Sequence, residues 1–180
     1  LPYAGSHHRN ARTLDEAADQ AIQLAVGFPP VPFKAGSPDF KALIYRERAG
    51  KRPEQKYIRG IFAGGTFCYQ AQQVLQDFGL DIYSNGPLEG SRKLSHPFCS
   101  TENTLMDMGA HEFTAGRPHP MIDSSLRRER ILNEAQDPQV AILLLDFILG
   151  FNSSPDPVGE LAAAIIAAKE KAKEKGGSLS

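Results

Sequence analysis

Apolar residues recur at helical spacing in "TLDEAADQAIQLAV" (13–26), with Leu14, Ala17, Ala18, Ala21, Ile22 and Ala25 on one stripe. Thr13 followed three residues later by Glu16 forms a capping box, and Gly27 supplies the stop, so an amphipathic helix is expected. The pattern then dissolves. Prolines at 29, 30, 32, 38 and 53 and the basic stretch "KRPEQK" mark a linker or surface excursion, with room for a short helix near Ala42 to Arg46. From Tyr57 the periods alternate. "YIRGIFA" (57–63) reads as a strand, "GG" as a turn, and "TFCYQAQQVLQDFG" as a helix closed by Gly79. "LDIYSN" (80–85) and "TLMDM" (104–108) are further strands, and "EFTA" (112–115) is expected as a short extension. Residues 86–102 are irregular. A helix capped by Asp123 runs through "SSLRRERILNEA", and "QVAILLLDFIL" (139–149) is long and apolar without alternation, as a central strand covered on both faces would be. Asp156 and Pro157 supply a cap and first-turn proline for a last helix, and "GGSLS" is expected to be a flexible tail.

Strands alternating with helices imply an α/β fold, a doubly wound, mostly parallel sheet with helices on both faces. The last helix should lead back into another strand, so the sheet is expected to be incomplete within these residues. The expected division is 1–56 as helix and Pro-rich linker, 57–175 as the α/β domain, and 176–180 as tail.

Composition narrows the function classes. The chain has 180 residues with 20 basic and 21 acidic side chains, and that balance gives no electrostatic case for nucleic acid or an anionic membrane. No apolar run approaches the roughly 20 residues of a bilayer span, and no signal peptide is visible. Cys68 and Cys99 are the only cysteines and show no metal spacing, which suits a reduced, cytoplasmic protein.

In an open parallel sheet, ligands collect outside the carboxyl ends of the strands. Three loops qualify there. Gly64, Gly65 and Thr66 open a helix whose free N–H groups and dipole suit a phosphate or carboxylate; the plain alternative is a turn that needs glycine. The segment "FTAGRPHPMID" carries Gly116, Arg117 and His119 between two prolines and is expected to be rigid and extended. Arg117 could grip an anion with two donors, and His119 could donate to an oxyanion, shuttle a proton or accept a phosphoryl group. Arg117 could instead pair with Asp107 or Asp123. The third loop, Gly150 to Ser154, offers Asn152 and Ser153 for ribose, phosphate or an acyl group, or is ordinary turn chemistry. Asp146, inside an apolar strand, is expected at its carboxyl end, bonded to a loop. Cys68 lies in a first helical turn, where the dipole favours thiolate, or is simply a small buried residue. His7, His8 and His96 read as surface residues. His111 beside Glu112 lacks a third ligand, so no metal site is expected. The turn at 64–66 and the arm bearing Arg117 are expected to meet at one rim and leave a cup of positive potential.

The blocks "TLDEAADQA", "RGIFAGGTFCYQA", "MDMGAHEFTAGRPHPMID" and "QVAILLLDFILGF" resemble the C-terminal part of the FdrA family, related to succinyl-CoA synthetase and described as acyl-CoA synthetases. The resemblance implies a flavodoxin-like, succinyl-CoA synthetase-type ligase-CoA domain, CoA and ATP or ADP as cofactors, and a phosphate-binding role for Gly64, Gly65 and Thr66. It also implies a small anionic substrate, and either a homo-oligomer or association with nucleotide-binding domains. The "GHAGA" phosphohistidine motif is missing from these residues, and His119 does not stand at its position. Two other readings remain open: a component of a carbamoyltransferase using carbamoyl phosphate and oxamate in allantoin degradation, and a non-catalytic assembly subunit.

Overall fold

The computed structural model describes residues 11–27 and 40–180. His7, His8 and the prolines at 29, 30, 32 and 38 lie outside the described residues. The chain divides into two units, Leu1–Asp39 and Phe40–Ser180.

In the first unit, α1 (Leu14–Val26) forms as its pattern predicts. Thr13 Oγ1 accepts from the Glu16 N–H at 3.1 Å, and Gly27 closes the helix at a φ of 74°. Glu16 reaches back past the cap to the Arg12 N–H at 2.7 Å.

The second unit is built on five parallel strands: β1 (Tyr57–Phe62), β2 (Ile82–Ser84), β3 (Arg92–Lys93), β4 (Asn103–Asp107) and β5 (Val140–Leu145), in the order β3-β2-β4-β1-β5. Helices α2 (Phe40–Ala49), α3 (Gly65–Asp77), α4 (His111–Thr114), α5 (Ser125–Glu134) and α6 (Pro157–Glu174) complete it. Successive strand residues point to opposite faces, and the two cores show it. Ile61 and Met106 join a core with Ile131, Leu161 and Ala164 beneath α5 and α6. Their neighbours Phe62 and Leu105 join Cys68 and Ile82 beneath α3. The fold is the expected α/β sheet with helices on both faces.

Four local expectations change. The apolar run at 139–149 is not central: β5 ends the sheet order and stops at Leu145, and most of it is half-buried. Long apolar runs report burial of side chains, not position in the sheet order. "EFTA" forms the single helical turn α4 in place of an extension. Asp123 sits one residue before the N-cap Ser124 and accepts from the Ser125 N–H at 2.9 Å. The segment after α4 is bent, not extended: Gly116 takes a left-handed φ of 71°, and the His119 carbonyl accepts from the Ile122 and Asp123 N–H groups.

Residues 40–56 are bound to the sheet, not a free linker. Lys51 Nζ donates to the Ala141 carbonyl at 2.8 Å, Arg52 donates to the Lys175 and Pro138 carbonyls, and Gln55 Nε2 donates to the Val140 and Ser178 carbonyls. The tail is bound as well. Leu179 is buried, the Ser180 N–H donates to the Ala141 carbonyl at 3.2 Å, and the Leu143 N–H donates to the Ser180 carbonyl at 2.8 Å. That is the bond pattern of a parallel strand pair at the outer edge of β5.

Candidate functional site

The carboxyl rim of the sheet begins where β1 ends. Ala63 is fully buried, and Gly64 follows as N-cap of α3 in extended backbone, with no side-chain cap on the helix. A Cβ at Gly64 would meet nothing within 4 Å, and Gly64 and Thr66 line a cavity at the start of α3, where a helix has unsatisfied N–H groups. Gly65 is glycine for a different reason. A Cβ there would stand 3.0 Å from the Tyr69 ring and 3.1 Å from Asp107 Oδ2. The helix is pinned by buried Gln72, whose Nε2 donates to Ser84 Oγ and the Gly86 carbonyl while its Oε1 accepts from the Leu88 N–H at 3.0 Å.

His119 comes to the same place. Its Nδ1 accepts from the Met121 N–H at 3.2 Å, which puts the proton of the neutral ring on Nε2. A Cβ at Gly109 would lie 2.7 Å from His119 Nε2 and 2.7 Å from the Ala63 carbonyl oxygen, so the ring tip stands beside the β1–α3 turn. A cavity of about 300 Å³ is lined there by Gly64, Thr66, Phe67, His119, Met121 and Asp146, among others.

Two carboxylates flank this turn. Asp146, just past β5, is buried; its Oδ1 accepts from the Ala63 N–H at 2.8 Å and from Arg127 Nη2 at 2.8 Å, while its Oδ2 is buried without a partner. Burial pushes the Asp146 carboxyl above the usual range, opposed by the Ala63 N–H and Arg127. Asp107, at the end of β4, accepts from the Gly109 N–H at 2.9 Å, and its carboxyl is also raised, by burial first and by the Glu112 charge, with His119 opposing. The rim is therefore not a strongly positive cup. Its positive end is the dipole of α3, and Arg127 is committed to Asp146.

The expected site residues divide into two groups. Gly64, Gly65, Thr66 and His119 converge. Arg117 does not: it is exposed and lines a separate cavity of about 240 Å³ with Phe113, Pro118, Pro120, Asp123, Ser125 and Leu126. Gly116 makes the turn after α4. Asn152 takes a left-handed φ of 66° and is exposed, and Ser153 Oγ donates to the Gly150 carbonyl at 2.7 Å, so both shape their own turn. That loop positions its neighbour: the Ser154 N–H donates to the Met121 carbonyl at 2.8 Å, two residues beyond His119. Cys68 is fully buried and its thiol is pushed up to about 12 by burial, which outweighs the helix dipole. Among the described residues no group of three His, Cys, Asp or Glu side chains is placed to hold a metal ion, and no helix is long and apolar enough to cross a membrane.

Sequence reading missed Asp107 and Arg127 as rim residues. Asp107 was detectable as the carboxylate that closes β4 at the ligand-binding end. Arg127 was not, because it sits in the charged run "SSLRRER", where nothing distinguishes a buried arginine from a solvated one.

A glycine turn into a helix with no side-chain cap, at the carboxyl rim of a parallel sheet, shares one cavity with a histidine, and such rims are where open α/β sheets collect ligands. The chain belongs to the CoA-ligase family, whose sequence model matches residues 61–175, and this is a succinyl-CoA synthetase-like domain. Over 137 residues it is 42% identical to the uncharacterized protein YahF of Escherichia coli (strain K12), an alignment that covers 76% of this chain. The same alignment covers 27% of YahF, so the chain spans about a quarter of that relative's length.

The family suggests CoA and nucleotide use. The donor set of the cavity does not fit either whole molecule: the raised carboxyl of Asp146 and one histidine line it, and among the described residues no lysine or arginine lines it to balance several phosphates.

Proposed function

We propose that this chain is the phosphoryl-binding domain of an FdrA-like acyl-CoA synthetase. It seats the phosphoryl end of an acyl phosphate on the first-turn N–H groups of α3, and other domains supply nucleotide and CoA. The observation that carries this reading is the N-terminus of α3: capped by a glycine with open space at its Cβ position, and sharing one cavity with His119. Backbone N–H groups at a helix start bind anions through their unsatisfied donors and the helix dipole together. His119 adds a donor that can carry a charge when protonated. That the chain spans about a quarter of YahF fits a protein whose nucleotide and CoA modules lie in separate domains.

Titration calorimetry of the purified chain with inorganic phosphate and with acetyl phosphate tests this reading. Gly64→Asp places a carboxylate where the anion would sit and caps α3 with its own side chain. The variant is expected to fold and to bind both probes at least about tenfold more weakly, the loss of roughly one charge-assisted hydrogen bond. Equal affinity in the two proteins, or no saturable binding by the wild type, contradicts the proposal.

A further inference from the structure

The sheet face that carries α3 is covered only in part. α3 packs on β1, β4 and β2, whereas α5 and α6 build the core on the opposite face. The edge strand β5 is left with a groove of about 440 Å³ between itself and α3, lined by Phe62, Phe67, Val74, Leu144 and other apolar residues. Among the described residues, Gln70 and Asp146 are the only polar ones lining it. Phe67 and Asp146 also line the cavity beside His119, so the groove continues directly from the rim.

The chemistry of the lining restricts what can lie there. Among the described residues no lysine, arginine or histidine lines the groove, and Asp146 is held by the Ala63 N–H and Arg127. A second carboxylate would meet no cation, whereas an apolar chain would cover Phe67 and Val74, which are otherwise exposed. We infer that the groove between α3 and β5 seats the apolar chain of the acyl phosphate whose phosphoryl end rests on α3. The substrate class is then a medium-length aliphatic or an aromatic monocarboxylic acyl group, not a dicarboxylic one. The inference rests on the phosphoryl-binding reading and adds the tail to it.

Affinities of the purified chain for methyl, butyl and hexyl phosphate, and for the butyl ester bearing a terminal carboxylate, test it. Wild type is expected to tighten two- to fourfold per added methylene, the upper figure corresponding to ~0.8 kcal/mol, and the terminal carboxylate is expected to cancel the gain. Val74→Asp, at a partly exposed position of α3, should leave methyl phosphate affinity unchanged and flatten the series. A flat wild-type series with methyl phosphate bound overturns the inference, and so does an equal slope in Val74→Asp. Failure of methyl phosphate to bind at all overturns the phosphoryl-binding reading itself, and the inference falls with it.

Discussion

At the amino-terminal rim of the sheet, Glu134 accepts from Arg59 Nε at 2.8 Å and from Arg130 Nε at 2.7 Å, and Asp137 takes Arg59 Nη2 at 2.7 Å. Arg130 spends its remaining donors on the Phe98 carbonyl and Ser100 Oγ. At the carboxyl-terminal rim, Asp146 has one partnered oxygen and one without a partner, Asp107 stands against the first turn of α3, and that turn has no side-chain cap. Both rims bury charge. At the first, both carboxylates are answered by arginines from within the chain and Arg59 Nη1 is the buried atom left over, and its ions hold α5 to the sheet. The second leaves the Asp146 Oδ2 acceptor without a partner and the start of α3 without a side-chain cap beside a cavity, which is why the proposed site is placed there.

Substitutions separate the two rims, and the largest effect is expected at the closed one. Glu134→Ala removes the carboxylate that two buried guanidinium groups share and should cost about 3–5 kcal/mol in denaturant unfolding; a loss under 1 kcal/mol would show that the cluster is solvated. Arg127→Met at the open rim should cost less, roughly 2–3 kcal/mol near neutral pH, because Asp146 can escape by taking a proton. A carboxyl whose folded value is raised favours the folded state at low pH and costs stability as the pH climbs through that value. The Arg127→Met deficit should therefore grow from about pH 4 to pH 7, and a deficit that shrinks over that range contradicts the assignment. Smaller still, His119→Ala should weaken phosphate binding about three- to tenfold, the worth of one hydrogen bond, while Arg117→Ala leaves it unchanged. Reversal of that order would move the site to the Arg117 cavity. Least in energy, Cys99 should react with a thiol reagent in the native protein and Cys68 only on unfolding, since one is exposed and the other buried.

How far the sequence could be read follows the same division. The β1–turn–α3 unit was legible because a strand period, two glycines and a helix period follow one another without a break. Asp146 was legible because a lone acid in an apolar run has to end up hydrogen-bonded at a strand terminus. The divergence of Arg117 from His119 was not legible: it depends on the bend at Gly116 and the turn at His119, whose angles two flanking prolines restrict without fixing. Arg59, Arg127 and Arg130 were equally hidden, since their burial is decided by acids from other elements, Glu134, Asp137 and Asp146. The edge position of β5 and the docking of Leu179 and Ser180 depend on strand order, which local patterns do not encode.

The most direct measurement follows the backbone amides of Gly65, Thr66 and Phe67 by nuclear magnetic resonance while inorganic phosphate is added. The account predicts saturable shifts at these amides and at the His119 ring, with little change at Arg117 or Asn152. Shifts that centre on Arg117 and leave the start of α3 unmoved would contradict it.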